Sequence, residues 1–232
     1  MKNTAKLKNI IDKLKKARVM VIGDLILDEF IWGNVSRISP EAPIPVVEVI
    51  DESFMPGGAA NVANNIRSLG GEVTLVGLIG RDSRGKTLNR LLKKKGVNIQ
   101  GIIATPDRPT TLKSRIIAHR QQVVRVDKEK VEPISSKLLD KTLSKIKALS
   151  KNVDAFLIED YGKGIIVPAL IKEVVKIAKK KKIMVTVDPK ENHIDYYKGV
   201  TAVTPNQFEA GKAIGIEIKD KKSLYRAGKK LL

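Results

Sequence analysis

The sequence predicts an α/β fold: a doubly wound, mostly parallel sheet with helices on both faces and a small β lid. Three observations carry that expectation. Short continuous apolar runs such as Val19-Met20-Val21-Ile22 and Phe156-Leu157-Ile158 have the length and unbroken hydrophobicity of strands buried on both faces. Amphipathic helical patterns lie between such runs, as a parallel sheet requires of its crossovers. Successive runs also end in polar residues, at Gly23-Asp24, Glu159-Asp160, Asp188-Pro189-Lys190 and Thr204-Pro205-Asn206. Open sheets of this class bind ligands beyond the carboxyl ends of their strands, so these tips are expected to share one crevice.

Taken in order, Leu7, Ile10, Ile11 and Leu14 recur at helical spacing and give a first amphipathic helix ending near Arg18. The first buried strand follows, with Asp28 a few residues past its tip. Ser39-Pro40-Glu41-Ala42-Pro43-Ile44-Pro45 cannot be helical, because each proline holds itself and its predecessor extended. Val46–Ile50 then reads as a strand. This excursion, about 31–52, and a second at about 108–127 are the two insertions expected to form the lid. The second carries Lys113 and a basic cluster of Arg115, His119, Arg120 and Arg125.

Pro56-Gly57-Gly58-Ala59-Ala60-Asn61 is a tight turn that opens a helix, where free N–H groups face a ligand. Asn61 and Asn65 stand one turn apart on that helix. After the strand Val73–Ile79, Gly80-Arg81-Asp82-Ser83-Arg84-Gly85-Lys86-Thr87 matches the phosphate-binding pattern G-x-x-x-x-G-K-[ST]. In that reading Lys86 meets phosphates, Thr87 meets magnesium, and Asp160 or Asp188 serves the metal. The other reading is an ordinary strand-to-helix turn in a lysine-rich chain, and at this point both stand. Helices at Ser135–Ser150, Val167–Lys180 and Leu224–Leu232 alternate with strands at Val153–Ile158, Ile183–Val187 and Thr201–Val203.

Composition narrows the function classes. Aromatics are only 4% of the 232 residues against 42% hydrophobic, so the core must rest on aliphatic side chains. With no cysteine, disulfides and thiolate metal sites are excluded, in keeping with a reducing, cytoplasmic setting. Only His119 and His193 are present, too few for a histidine metal cluster. The net charge of +19 comes from lysines spread over predicted helices without interleaved aromatics, so no nucleic-acid partner is expected. No apolar run is long enough to cross a bilayer, and Met1–Arg18 lacks the apolar segment of a signal peptide, so no membrane partner is expected either.

Gly57-Gly58-Ala59-Ala60-Asn61, Gly80-x-Asp82-x-x-Gly85, Asp188-Pro189 and Asn206-x-x-Glu209 together resemble the ribokinase-like, or pfkB, carbohydrate kinases. The resemblance covers the chain from about Val19 onward. Ser36-Arg37-Ile38-Ser39-Pro40-Glu41-Ala42-Pro43, Arg120–Asp127 and Asp160-Tyr161-Gly162-Lys163-Gly164 resemble the branch that phosphorylates D-glycero-D-manno-heptose 7-phosphate at C1, on the ADP-heptose route to lipopolysaccharide core. Many members of that branch are fused to an adenylyltransferase.

The resemblance implies a ribokinase-like fold that uses ATP and Mg2+. Asp28, Gly57, Gly58 and Asn61 would hold sugar hydroxyls, with Asp160 near the same pocket. Lys190, Asn206, Gln207, Phe208 and Glu209 would face ATP, Glu209 meeting magnesium indirectly. The Gly80–Gly85 turn becomes structural, which disfavours a P-loop NTPase. A sugar 7-phosphate needs cationic partners, and Arg37, Lys113, Arg115 and Arg120 on the two insertions are the ones available. The resemblance also implies a homodimer formed through the lid. The family's late G-A-G-D motif, which supplies an anion hole and the base, has no counterpart here. The chain is therefore expected to be one kinase domain, 1–232, incomplete at its C-terminus. No catalytic base is expected within it, since that base would lie beyond Leu232, and it should leave apolar surface uncovered and be inactive alone. Another pfkB-type sugar kinase, or a truncated sugar-phosphate-binding protein without catalysis, are the alternatives.

Overall fold

The computed structural model describes residues 2–231, with side chains from residue 7. Helix α1 (Lys2–Leu14) leads into strands β1 (Arg18–Gly23), β2 (Leu25–Ile38) and β3 (Pro45–Gly58), then α2 (Ala59–Ser68). Next come β4 (Glu72–Gly80), α3 (Ser83–Lys94), β5 (Asn98–Thr105), β6 (Thr111–Ala118) and β7 (Gln121–Lys128). The remainder is α4 (Ser136–Leu149), β8 (Ala155–Glu159), α5 (Pro168–Lys181), β9 (Met184–Asp188), a 3-10 segment at Glu191–Tyr197, β10 (Ala202–Val203), α6 (Gln207–Ile214) and α7 (Lys221–Leu231).

Two sheets result. The larger has six strands in the order β10-β9-β8-β1-β4-β5, every neighbouring pair parallel. Its strands carry the continuous apolar runs of the sequence because both faces are covered. On one face α4 and α5 bury Met20, Ile22, Phe156, Ile158, Ile146 and Val174. On the other, α2 and α3 bury Val21, Leu75, Ala63, Leu88 and Leu92. The helix starts are written locally. The Asp82 side chain accepts from Gly85 N at 2.8 Å and Ser135 from Leu138 N at 3.4 Å, while α5 begins on Pro168, which needs no N–H partner there.

The second sheet has four strands in the order β3-β2-β6-β7, with β2 and β6 parallel and the other pairs antiparallel. It contains most of both predicted insertions but begins earlier than the sequence suggested. Only Asp24 separates β1 from β2, so the chain passes from one sheet into the other without a loop. Leu25, Ile26 and Leu27 are all buried, which hides the strand alternation until Asp28. Similarly, β3 runs to Gly58, so the two glycines end a strand rather than forming a separate loop. Strand β5 and the 3-10 segment went unforeseen. The first mixes polar and apolar residues at a sheet edge, and the second has no sustained period.

Candidate active site

In the six-stranded sheet the chain runs from β1 outward to β4 and β5, then returns to β8 and continues to β9 and β10 on the other side. The order therefore reverses between β1 and β8, and the crevice beyond their carboxyl ends is where such a sheet receives a ligand. Asp24 sits at its floor, 3% exposed, where it accepts from Tyr161 N and Lys163 N, each at 3.0 Å, and from Ile165 N at 3.4 Å. Burial outweighs these amides and pushes the carboxyl up to about 6.

Asp28 projects from β2 above this floor. A side chain at Gly57 would collide with the Asp28 carboxylate, so glycine there is what lets the carboxylate lie across β3. Gly58, at φ 53, is the N-cap of α2, and a Cβ on it would come within 2.6 Å of the Asp24 carbonyl. Asn61 is exposed on the first turn of α2. Gly57, Gly58 and Asn61 thus lie on contiguous backbone, with Asp28 on the strand paired to it.

Cations crowd the same face of the second sheet. Arg115 donates to Asp28 Oδ1 at 2.6 Å and lies 5.3 Å from the Phe30 ring centroid. Lys113, paired in register with Asp28, contacts Asp127 at 2.9 Å and Glu129 at 3.8 Å. Lys163 reaches across from the loop after β8 to Glu129 at 2.7 Å. A buried Glu129 oxygen, Oε2, has no hydrogen-bond donor among the described residues.

Arg37 and Arg120 are corrections to the sequence expectation, because the structure does not bring them to this cluster. Arg37 lies near the far end of β2, about 30 Å from Asp28 at roughly 3.3 Å per residue. Arg120 is exposed in the two-residue turn between β6 and β7, where His119 and Arg120 both take positive φ, 49 and 64. That geometry gives a hairpin its matching twist.

Asp160 also differs from expectation. Its side chain is 0% exposed and accepts three hydrogen bonds, from Gly162 N at 2.8 Å and from Tyr197 Oη and His193 Nδ1 at 2.7 Å each. The carboxylate is satisfied internally and does not face the crevice. Its effect reaches Lys190 instead, whose backbone N donates to Tyr197 Oη at 3.0 Å. The Lys190 ammonium lies 3.0 Å from Glu191, which Lys212 also contacts at 2.9 Å. Those two cations hold the Glu191 carboxyl down to about 2.

On the opposite wall, Asn206 and Glu209 form a capping box at the start of α6. Asn206 accepts from Glu209 N at 2.9 Å, and Glu209 Oε2 accepts from Asn206 N at 2.8 Å. Among the described residues, Glu209 Oε1 has no donor. Gln207 donates to the Ile218 carbonyl, while Phe208 is 72% exposed with the Lys212 ammonium 5.9 Å from its ring centroid. An open groove of about 760 Å³ runs beside Asn206, Phe208, Gly211 and Ile218.

Three carboxylates bear on one another beneath this wall. Burial and then Asp188 push Glu159 up to about 8, and burial and then Glu209 push Asp188 up. Among the described residues no group of three or more metal-ligating side chains is close enough to hold an ion alone. Mutually repelling carboxylates with a free Glu209 oxygen fit a magnesium ion held largely by water and phosphates.

The Gly80–Thr87 segment is not a phosphate cradle. The Asp82 carboxylate fills the turn, accepting from Gly85 N, Thr110 N and Thr110 Oγ1 at 2.7–2.9 Å. A Cβ on Gly85 would meet the Gly80 carbonyl at 2.5 Å. The turn closes on itself, and Lys86 points into solvent as an exposed helix residue. Lys163, Asp127 and Glu129 are the participants that sequence reasoning missed. Asp127 and Glu129 stand two residues apart, but only the topology brings the distant Lys163 to them.

Known proteins place this architecture. The pattern of the pfkB family carbohydrate kinases matches residues 16–232. The chain is 43% identical over 213 residues to the bifunctional protein HldE of Geobacter metallireducens, covering 92% of this chain and 44% of that protein. It thus spans less than half the length of such curated relatives. The tetrameric inhibited form of Escherichia coli phosphofructokinase-2 superposes with a TM-score of 0.74 at 17% identity, over 93% of this chain and 69% of that one. Arabidopsis thaliana ribokinase complexed with ribose and ATP gives 0.66 at 17% identity, over 93% and 68%. At these identities the two structures speak for the fold alone. The chain belongs to the pfkB family of carbohydrate kinases.

Proposed function

Starting from membership in the pfkB carbohydrate kinases, we propose that this chain is the sugar-kinase part of a protein that uses ATP and Mg2+ to phosphorylate C1 of D-glycero-D-manno-heptose 7-phosphate. That step serves ADP-heptose and lipopolysaccharide-core synthesis in the cytoplasm. The observation that carries the reading is the Asp28 carboxylate beside Gly57 at the switch point, flanked by Lys113, Arg115 and Lys163. Asp28 and Asn61 offer acceptors and a donor to sugar hydroxyls, and the three cations offer charge to a sugar phosphate. HldE of Geobacter metallireducens is described as bifunctional, which supports a second, adenylyltransferase activity on the same or a partner chain.

On the nucleotide side, Lys190 and the α6 start at Asn206–Glu209 face the phosphates, and the groove beside Phe208 receives the base. Bound magnesium would neutralise charge on the transferring phosphoryl group. The protein's own contribution is positional. Asp160 fixes Tyr197, which fixes Lys190, and Glu191 holds Lys212 alongside. The carboxylates near the sugar are engaged, Asp28 by Arg115 and Asp24 by three amides, so neither is free to take the hydroxyl proton. On this reading turnover by these 232 residues alone is negligible, while sugar phosphate still binds. A second copy docks on the outer face of the four-stranded sheet, where Val49, Val124 and Val126 are about half exposed.

Calorimetry with the heptose 7-phosphate and with unphosphorylated heptose tests this reading. Lys163→Ala removes an ammonium that does not touch Asp28. It should weaken the phosphorylated sugar by about tenfold or more, the worth of a charge-assisted hydrogen bond, and leave the unphosphorylated sugar nearly unchanged. Equal losses for both ligands, or no binding of either by the parent chain, would overturn it.

A further inference from the structure

The edge of the molecule opposite the crevice has its own chemistry. In a parallel sheet each crossover helix ends where the next strand begins, so the carboxyl ends of α3, α4 and α5 share the amino-terminal edge of the strands. Those ends carry Lys93–Lys95, Lys147 with Lys151, and Lys179–Lys182, all exposed. Among the described residues none of them pairs with a carboxylate. Helix dipoles favour a cation at such positions, but they do not call for runs of three and four.

Helix α1 leaves from the same edge. A Cβ on Gly70 would lie 3.0 Å from Lys15, and the Ala17 carbonyl accepts from Glu72 N at the start of β4. Among the described residues its apolar stripe has no partner: Leu7 is 59% exposed, Ile10 49%, Ile11 59% and Leu14 39%. At the angular spacing of an α-helix, Lys8 flanks that stripe on one side and Lys13 on the other, while Lys15, in the turn after the helix, pairs with Asp12 at 3.5 Å. The family match begins at residue 16, just past the end of this helix.

We propose that α1 and the adjoining lysine edge form a docking surface for an anionic lipid bilayer, with α1 lying in the headgroup plane. The pairing of features selects this occupant. A nucleic acid would engage the lysines and leave the aliphatic stripe in water. A second copy could bury the stripe but would bring unpaired lysines face to face. An anionic interface takes both, apolar side chains into the acyl boundary and ammonium groups among the phosphates. The contact is peripheral, since no helix among the described residues is long and apolar enough to cross a membrane. It departs from the sequence expectation of no membrane partner, and it leaves the crevice facing away from the lipid.

Vesicle co-sedimentation tests the proposal, comparing phosphatidylcholine alone with mixtures containing phosphatidylglycerol. The chain should partition onto the anionic vesicles about tenfold or more better than onto the neutral ones, and high salt should release it. Ile10→Glu with Ile11→Glu should lower that partitioning about tenfold with unchanged circular dichroism, since both side chains are already in solvent. Lys93→Glu, Lys94→Glu and Lys95→Glu together should weaken it through the second half of the surface. Equal partitioning onto neutral vesicles would overturn the idea. So would indifference to both sets of substitutions, or a stripe-dependent dimer that fails to bind vesicles.

Discussion

The two sheets of this protein are built from similar aliphatic residues and behave as opposites. The six-stranded sheet is covered on both faces, and Phe156, Met20 and Leu75 within it are 0% exposed. The four-stranded sheet is covered only near its base. Glu29 is buried there against Ser114 and Arg84, while every residue of β7 is exposed. Enclosure makes the first a rigid comb whose tips hold polar groups at fixed spacing. Openness leaves both faces of the second in contact with solvent beyond its base. The difference lies in what packs against each sheet rather than in strand composition.

That contrast can be broken most directly in the enclosed core. Phe156→Ala should cost about 4 kcal/mol, a large part of the 5–15 kcal/mol typical of a domain, read as a collapse of the urea midpoint. A loss below about 1 kcal/mol would show that the six-stranded sheet is not the rigid partner.

The second test concerns the carboxylate at one of its tips. Glu159, 4% exposed, is held protonated up to about 8 by burial and then by Asp188, whereas Asp28 on the open sheet has Arg115 beside it. A raised carboxyl means that ionisation opposes folding. Stability is full below the ordinary carboxylate range and falls as pH rises to about 8, on the order of 1 kcal/mol per pH unit. Glu159→Gln should flatten that decline, seen as a smaller difference between melting temperatures at pH 6 and pH 9. Parallel declines in parent and variant would remove Glu159 from the account.

The smallest effect belongs to the open sheet. Val124→Ser with Val126→Ser should change monomer stability by no more than about 0.5 kcal/mol per site, because both side chains are already about half in water. The same pair should shift sedimentation from dimer to monomer. A large thermal loss without that shift would mean that the face packs within the chain.

These outcomes bear on what the sequence made legible. The parallel strands and their polar tips could be read because burial on both faces writes itself as unbroken apolar runs. Gly57 and Gly58 could be read because close approach and positive φ call for glycine. The partners of Asp28 were only half legible. Arg115 and Arg120 look equivalent in a basic hairpin, and only the register and the turn place one at the carboxylate and the other at the tip. Asp160 misled for a related reason. A carboxylate after a strand suggests a ligand site, yet the aromatic hydroxyl and imidazole that satisfy it come from a 3-10 segment with no sequence period. The P-loop match failed on Asp82, since a pattern of letters does not say that its second variable residue fills the turn.

The passage from β1 to β2 through Asp24 alone bears on motion. That residue is pinned by amides of the loop after β8, and its own carbonyl accepts from Ala59 N at 3.1 Å. A flap clamped so firmly at its root has nowhere to swing. The ladder is interrupted instead near Trp32/Gly33 and Val35/Arg37, toward the free end, where bending breaks the fewest paired bonds.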